Sequence, residues 1–177
     1  MASFERTDPE RPNRLDWQIL LNGAISLYVS RIALDEACKW FQEHEYLMYR
    51  FDCTQWTTEE ALYARMRETL NLPDYCGGNL DSLSDCLIDI TISYDGGAIV
   101  VFDHFSAFVK RYPQLAQGLL DVIEINSRRL LLTGYRLIAL VQVDDPKMAF
   151  APVGACPILL NPLEYRKKIQ GIRGYKK

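Results

Sequence analysis

Three short, continuous apolar runs constrain the fold more than any other feature of the sequence. They cover residues 47–51, 98–102 and 135–143, and longer segments with helical spacing separate them. Continuous apolar runs of this length are typical of strands buried on both faces, and parallel strands need helical crossovers between them. The pattern therefore predicts an α/β domain in which a three-stranded parallel sheet is flanked by helices.

Helical patterns fill the segments between these runs. Residues 58–70 form one predicted helix, which has two glutamates in its first turn, where the helix dipole favours acids. A short helix is predicted over residues 105–111, and Pro113 is well placed to begin a longer helix that reaches about residue 129. Residues 158–160 resemble an edge strand within an otherwise irregular end of the chain.

The first 45 residues are predicted to form an N-terminal extension of the central domain. After a polar, disordered start, residues 17–21 and 24–29 are two apolar runs joined by Asn22-Gly23, a dipeptide that favours a two-residue β-hairpin turn. A short helix over residues 34–44 follows. The expected organisation is thus an extension (1–45), a central domain (46–143) and an irregular C-terminal segment (144–177).

Charge is unevenly distributed along the chain. The formal net charge is −3, but residues 165–177 carry six lysines and arginines and no acid, so the rest carries −9. An acidic body repels nucleic acid and attracts basic partners, and we expect no direct binding to nucleic acid. The basic tail is compatible with RNA contact, but a solvated, disordered end that is dispensable for folding is favoured.

The cysteines and the hydropathy argue against disulfide-rich, zinc-binding, membrane and secreted proteins. The five cysteines are odd in number, widely spaced and without a Cys-x-x-Cys pair, which argues against a disulfide framework or a zinc site and favours buried free thiols. No apolar run approaches the roughly 20 residues that a membrane helix needs, and the first residues do not resemble a secretion signal. We therefore expect a cytoplasmic protein without a membrane partner.

Residues 72–87 combine a loop that cannot be helical with a strongly signalled helix start. Pro73 and the pair Gly77-Gly78 interrupt the preceding helix, and Asn79 is a favourable N-cap for the next one. Three leucines at helical spacing define the buried side of that helix. Asp81 and Asp85 are four residues apart and lie together on the opposite side.

This stretch, LPDYCGGNLDSLSDCL, resembles the central signature of barstar-like ribonuclease inhibitors, Leu-Pro-x-Tyr-Tyr-Gly-x-Asn-Leu-Asp-x-Leu-Trp-Asp-Cys-Leu. The order of elements from residue 47 to residue 143 is also similar to that of the family. The resemblance implies a small barstar-like domain that binds and blocks the active site of a basic bacterial ribonuclease, as an antitoxin or immunity protein. It implies no cofactor and no metal.

Carried over by position, the resemblance implies a set of partner-binding residues on the loop and its helix. A further acidic contact of the family, on the long helix, corresponds to Glu124. The whole set is Tyr75, Gly77, Asn79, Asp81, Ser84, Asp85 and Glu124. The chain departs from the family at Ser84 and Ile90, where the family has tryptophans, at Cys76, where it has a second tyrosine, and at Gly78, where it has an acid. Aromatic anchors contribute much interface energy, so these departures bear on target and affinity.

Two other functions compete with inhibition. Asp81 and Asp85 resemble a carboxylate dyad or, with Asp89, a metal-binding strip, and Cys76 precedes a helix start. Neither of the two histidines is placed in the sequence as a base for Cys76, and solvent-exposed acids are the simpler interpretation, so a non-enzyme is favoured. The second alternative is a barstar-fold module that binds a different, non-ribonuclease protein.

Overall fold

The computed structural model describes residue 4 and residues 7–93 and 97–164. Its centre is one sheet of five strands in the order β2-β3-β4-β1-β5, and all adjacent strands are parallel. The strands are β1 Ile25–Tyr28, β2 Tyr46–Asp52, β3 Gly97–Asp103, β4 Leu137–Gln142 and β5 Leu159–Leu160. The parallel arrangement of the three predicted runs is confirmed, as is the edge strand near residue 159, but the sheet has five strands and not three.

Helices cover both faces of the sheet. They are α1 Leu15–Leu20, α2 Arg31–Glu43, α3 Glu59–Leu70, α4 Leu80–Cys86, α5 Phe105–Arg111 and α6 Pro113–Leu132. One core lies between the sheet and α3 to α6, and a smaller one lies between the opposite face and α1 and α2. Strands β3 and β4 are buried along their whole length because both of their faces are covered, which explains their unbroken apolar sequence.

The predicted N-terminal β-hairpin is wrong. Its first arm is the helix α1, which buries Leu15 and Ile19, four residues apart, and its second arm is β1. Strand β1 is parallel to β4, with Ile25 opposite Ala139, and it also pairs with β5. The first 45 residues therefore contribute an interior strand to the same sheet. Gly23, at a φ of 108°, makes the turn between α1 and β1 that the sequence suggested for a hairpin.

A buried carboxylate attaches α1 to the sheet. Asp16 is fully buried and accepts hydrogen bonds from the Tyr46 hydroxyl at 2.7 Å and from Arg136 Nη1 at 2.6 Å. Arg14 adds two more, from Nε at 3.1 Å and Nη2 at 2.7 Å. Burial alone would raise the pKa of Asp16, but hydrogen bonds from Arg14 and Tyr46 hold it below its usual range. The carboxylate is thus ionised and paired in the folded protein.

The segment after β4 returns to the sheet through two polar side chains. Asn161 Nδ2 donates to Ser26 Oγ at 2.9 Å, and Glu164 accepts from the amides of Val29 and Ser30, both at 2.9 Å. The basic tail, residues 165–177, lies outside the described residues, so its predicted behaviour stays a prediction. Among the helices that the structure describes, none is long and apolar enough to cross a membrane.

Candidate functional site

The loop between α3 and α4 owes its shape to backbone constraints at residues 71–76. Asn71 ends α3 in the left-handed region, with a φ of 52°, and the Leu72 amide then bonds to the Arg67 carbonyl at 2.9 Å. Leu72 is buried, and the Cys76 amide donates to the Pro73 carbonyl at 3.0 Å, which closes a turn. The turn leaves the side chain of Tyr75 pointing away from the core.

Helix α4 begins with a complete cap. Asn79 Oδ1 accepts from the Ser82 amide at 2.8 Å, which confirms the predicted N-cap. The Gly77 amide donates to Ser82 Oγ, and a Cβ on Gly77 would lie 3.0 Å from that oxygen. The loop and the first turn of α4 therefore hold each other in place, and Gly77 and Asn79 act through this geometry.

The inner side of α4 is fixed to the core and to α6. Leu83 and Cys86 are buried, and Leu80 lies against Gly118 of α6 so closely that a Cβ there would be 2.4 Å from Leu80 Cδ1. Ser84 is half-buried, and its Oγ accepts from Asn126 Nδ2 at 3.0 Å. The structure thus places Ser84 at the edge of the α4–α6 contact.

The outer side of α4 is acidic. Asp81 and Asp85 are both exposed, and within the described part of the chain neither carboxylate forms a hydrogen bond or an ion pair. Asp89 continues the row beyond the end of the helix, and Ile88 beside it is 49% exposed. We call these four residues, together with Tyr75, the α4 face.

Tyr75 joins the loop to this face. Its side chain is 75% exposed, and its hydroxyl lies 3.5 Å from Asp89 Oδ2, at the long end of hydrogen bonding. Partial desolvation and the neighbouring Asp89 carboxylate raise the pKa of Tyr75, so the phenol is neutral at physiological pH. The sequence predicts neither this contact nor the exposure of Ile88. The four-residue spacing of Asp81, Asp85 and Asp89 does indicate that Asp89 belongs to the same side of the chain as the other two acids.

Glu124 lies apart from this surface. Its side chain is 2% exposed, it accepts from the Ala24 amide at 2.7 Å, and Arg128 Nε donates to it at 2.9 Å. These contacts support the turn between α1 and β1. We therefore leave Glu124 out of the α4 face, although the resemblance implied that it contacts a partner.

The geometry gives no support to the enzymatic alternatives. Cys76 is buried and its Sγ lies 3.7 Å from the Ser82 carbonyl oxygen, while His44 stacks on Trp40 and His104 contacts Asp52. In the described part of the chain, neither histidine forms a hydrogen bond with Cys76. In the ranges that the structure describes, no group of three or more His, Cys, Asp or Glu side chains is arranged to hold a metal ion.

Exposed carboxylates and an exposed tyrosine on a rigid helix and loop, within a parallel α/β domain, have the makeup of a protein-binding surface. Comparison with protein-family models matches residues 46–142 to barstar, the barnase inhibitor. The match covers more than half of the chain and includes the α4 face, and the chain belongs to the barstar family. This is a family of inhibitors and not of enzymes. A search of curated proteins finds no matching relative.

Proposed function

We propose that this protein binds a bacterial ribonuclease of the barnase type and blocks its active site with the α4 face. The observation that carries the proposal is the pair Asp81 and Asp85: both are exposed, four residues apart, and without a hydrogen bond or ion pair among the described residues. Like charges at this spacing weaken a helix slightly, and Asp85 lies beyond the first turn where the helix dipole favours an acid, so intramolecular stability does not account for Asp85. A basic partner does.

The chemistry of inhibition follows from the substrate. A ribonuclease holds the RNA phosphate with arginine, lysine and histidine side chains, and a carboxylate is an anion that the same groups bind well. Asp85 lies a full turn into α4, at the centre of the face, and is the residue we assign to that anion pocket. Asp81 supports it from the first turn, and Tyr75 covers the flanking surface.

Rigidity is the second requirement. A surface that is already ordered binds without a large entropic cost. The Asn79 cap and the Gly77–Ser82 contact fix the start of α4, and the Ser84–Asn126 hydrogen bond fixes the helix to α6. Inhibition then needs no cofactor and no conformational change in the inhibitor.

The apolar part of the interface is reduced relative to the family. Ser84 stands where the family has a tryptophan, and Asn126 holds it against α6. Tyr75 and Ile88 are the large apolar side chains that remain exposed on the α4 face. We therefore assign them the anchoring role that aromatic residues usually have at interfaces.

We further propose that the protein acts in the cytoplasm as an antitoxin or immunity protein. The free thiols of its five cysteines suit a reducing compartment. The acidic body of the chain also speeds encounter with a basic ribonuclease.

The test is inhibition of barnase, and of further basic guanyl-specific ribonucleases, by the full chain and by Asp85→Ala and Tyr75→Ala. Asp85→Ala is expected to accelerate dissociation by about tenfold or more, with less effect on association, because its charge lies at the desolvated centre. Melting curves establish that both variants fold. If both variants bind with unchanged affinity, the interface does not lie on the α4 face.

The second candidate is a binding module with a non-ribonuclease partner. The position of Ser84 favours this alternative. Ser84 is held against α6 by Asn126, and the family's aromatic anchor is absent at this position. A chain that inhibits none of these ribonucleases, yet retains another protein through Asp85 and Tyr75, would support this alternative.

A further inference from the structure

A groove runs along α3 and opens beside the α4 face. It encloses about 320 Å³. One wall is a single side of α3, and the other is the backbone of the glycine pair that precedes α4. Its lining residues are Glu59, Glu60, Tyr63, Ala64, Arg67, Gly77 and Gly78.

The groove and the α4 face are parts of one surface. A Cβ on Gly78 would lie 3.9 Å from Tyr63 Cδ2, so α3 and the start of α4 are in van der Waals reach. Burial raises the pKa of Tyr63, and the nearby Glu59 and Asp81 carboxylates raise it further. Asp81 is therefore close to the groove as well as being part of the α4 face. A protein that contacts Asp81 on the α4 face is therefore within reach of the groove.

Charge is arranged along the groove from one end to the other. Glu59 and Glu60 lie in the first turn of α3, and both are exposed. Hydrogen bonds from the Glu60 amide and from Thr58 lower the pKa of Glu60, so it is ionised at neutral pH. Arg67 lies eight residues further on, about 12 Å along the helix axis, and its Nη1 lies 3.5 Å from the Cys76 carbonyl oxygen. One end is thus acidic, and the other carries the cation.

We propose that the acidic end of this groove receives an arginine side chain of the ribonuclease that α4 blocks. The inference rests on the proposed function and adds a second point of contact to it. A guanidinium group carries five donors in a planar fork that matches carboxylates, and it packs well beside an aromatic ring. Glu59 and Glu60 supply the carboxylates, Tyr63 supplies the ring, and the side-chain-free backbone of Gly77 and Gly78 leaves room for the arginine stem.

The principal experiment measures binding kinetics with barnase at low and high salt. Glu59→Gln/Glu60→Gln removes two charges from the groove, and the matched control Glu36→Gln/Glu43→Gln removes two exposed charges from α2, on the opposite face of the sheet. We expect the groove variant to accelerate dissociation by about fivefold at both salt concentrations. The control should alter only association, and only at low salt.

A second variant blocks the groove without changing its charge. Gly78→Leu adds a side chain beside Tyr63 at the wall of the groove, and it should weaken barnase binding as much as the charge variant does. Its melting temperature is measured first, because a strongly destabilised variant is uninformative. In that case Gly78→Ala, whose Cβ meets only an ordinary contact with Tyr63, replaces it and should weaken binding by a smaller factor.

A third arm examines the groove without a ribonuclease. Titration with acetyl-arginine amide should shift the NMR signals of the Gly77 and Gly78 amides, and the uncharged citrulline analogue should not. Equal shifts with both compounds, or none with either, would overturn the assignment of the groove to an arginine.

The outcomes separate this inference from the proposed function. If Asp85→Ala weakens binding while the groove variant behaves like its α2 control, the inference is wrong and the proposed function stands. If Asp85→Ala and Tyr75→Ala both bind barnase as the unmodified chain does, or if the unmodified chain binds none of the ribonucleases, both proposals fail.

Discussion

Two acidic regions of the molecule have opposite environments. Asp16, at the start of α1, is fully buried and accepts hydrogen bonds from Arg14, Tyr46 and Arg136. Asp81 and Asp85, on the outer side of α4, are exposed, and no hydrogen bond or ion pair reaches either of them from the described residues. The hydrogen-bonding capacity of the Asp16 carboxylate is used within the protein, whereas the carboxylates of Asp81 and Asp85 are accessible to a partner.

The difference separates structural from functional charge. A buried carboxylate is tolerated only when several donors compensate its lost hydration, and removing those donors is costly. An exposed carboxylate costs nothing to hydrate but contributes little to folding. We therefore expect substitutions at Asp16 to affect stability and substitutions on α4 to affect binding.

The largest expected effect is that of Asp16→Asn. The amide removes the negative charge with which the buried Arg136 is paired at 2.6 Å, and breaking a buried ion pair in this way costs about 3–5 kcal/mol of the free energy of unfolding. Urea unfolding at neutral pH measures the loss. A variant as stable as the unmodified chain would show that the buried Asp16 carboxylate, like the exposed acids of α4, contributes little to folding.

Acidification should affect the same contact by a smaller amount. Because the pKa of Asp16 is lower in the folded protein than in the unfolded chain, its contribution to stability is present above the unfolded pKa and is lost as pH falls through the folded pKa. The stability difference between the unmodified chain and Asp16→Asn should therefore be constant at neutral pH, begin to shrink below about pH 5, near the ordinary aspartate pKa of about 3.9, and continue to shrink down through the lower pKa of folded Asp16. Parallel stability curves over this range would contradict the assignment.

These two regions also differ in how well the sequence predicts them. The loop and α4 are specified locally, by Pro73, by the paired glycines and by the Asn79 cap, and the family signature lies on the same residues. The α1–β1 segment is not specified locally. The five-residue run over residues 17–21 is compatible with a strand or a helix, and the contact that holds the observed helix to the sheet joins Asp16 to Arg136, 120 residues away, which no local pattern indicates.

Long-range contacts explain the other differences as well. Both faces of β3 and β4 are covered, so their continuous apolar runs predict them directly, and β5 and the second arm of the expected hairpin, which is β1, were also predicted as strands. The place of β1 in the sheet could not be predicted, because its parallel pairing with β4 and β5 joins distant parts of the chain. Glu124 was assigned to a partner because the family has an acid on this helix. Its hydrogen bond to the Ala24 amide depends on where β1 lies, which no local pattern indicates.

A smaller loss of stability is expected when the N-cap of α4 is removed. Asn79→Ala removes the side-chain acceptor for the Ser82 amide, and loss of an N-cap typically costs about 1 kcal/mol. Because the cap also fixes the start of the helix, ribonuclease affinity should fall together with stability. Asn79→Asp is the matched control, since it keeps an acceptor at the same position and should retain both. A loss of affinity in the aspartate variant as well would indicate that the asparagine contacts the partner directly.

The smallest effect on stability is expected at Asp85, and its sign is informative. Asp85→Asn removes a like-charge repulsion with Asp81 across one helical turn, which is worth a few tenths of a kcal/mol. Asp85 lies too far from the helix start to gain from the dipole, and it gives up no hydrogen bond or ion pair with any described residue. Thermal unfolding should therefore show equal or slightly greater stability, and the gain should decrease as added salt screens the repulsion.

Asp81→Asn is the internal comparison. Asp81 is in the first turn, where the dipole favours an acid by about 0.3–1 kcal/mol, so the loss of this dipole interaction should offset or exceed the relief of repulsion. A clear loss of stability in Asp85→Asn would mean that this carboxylate has a structural partner like that of Asp16, and the α4 acids would then no longer be set apart as binding residues.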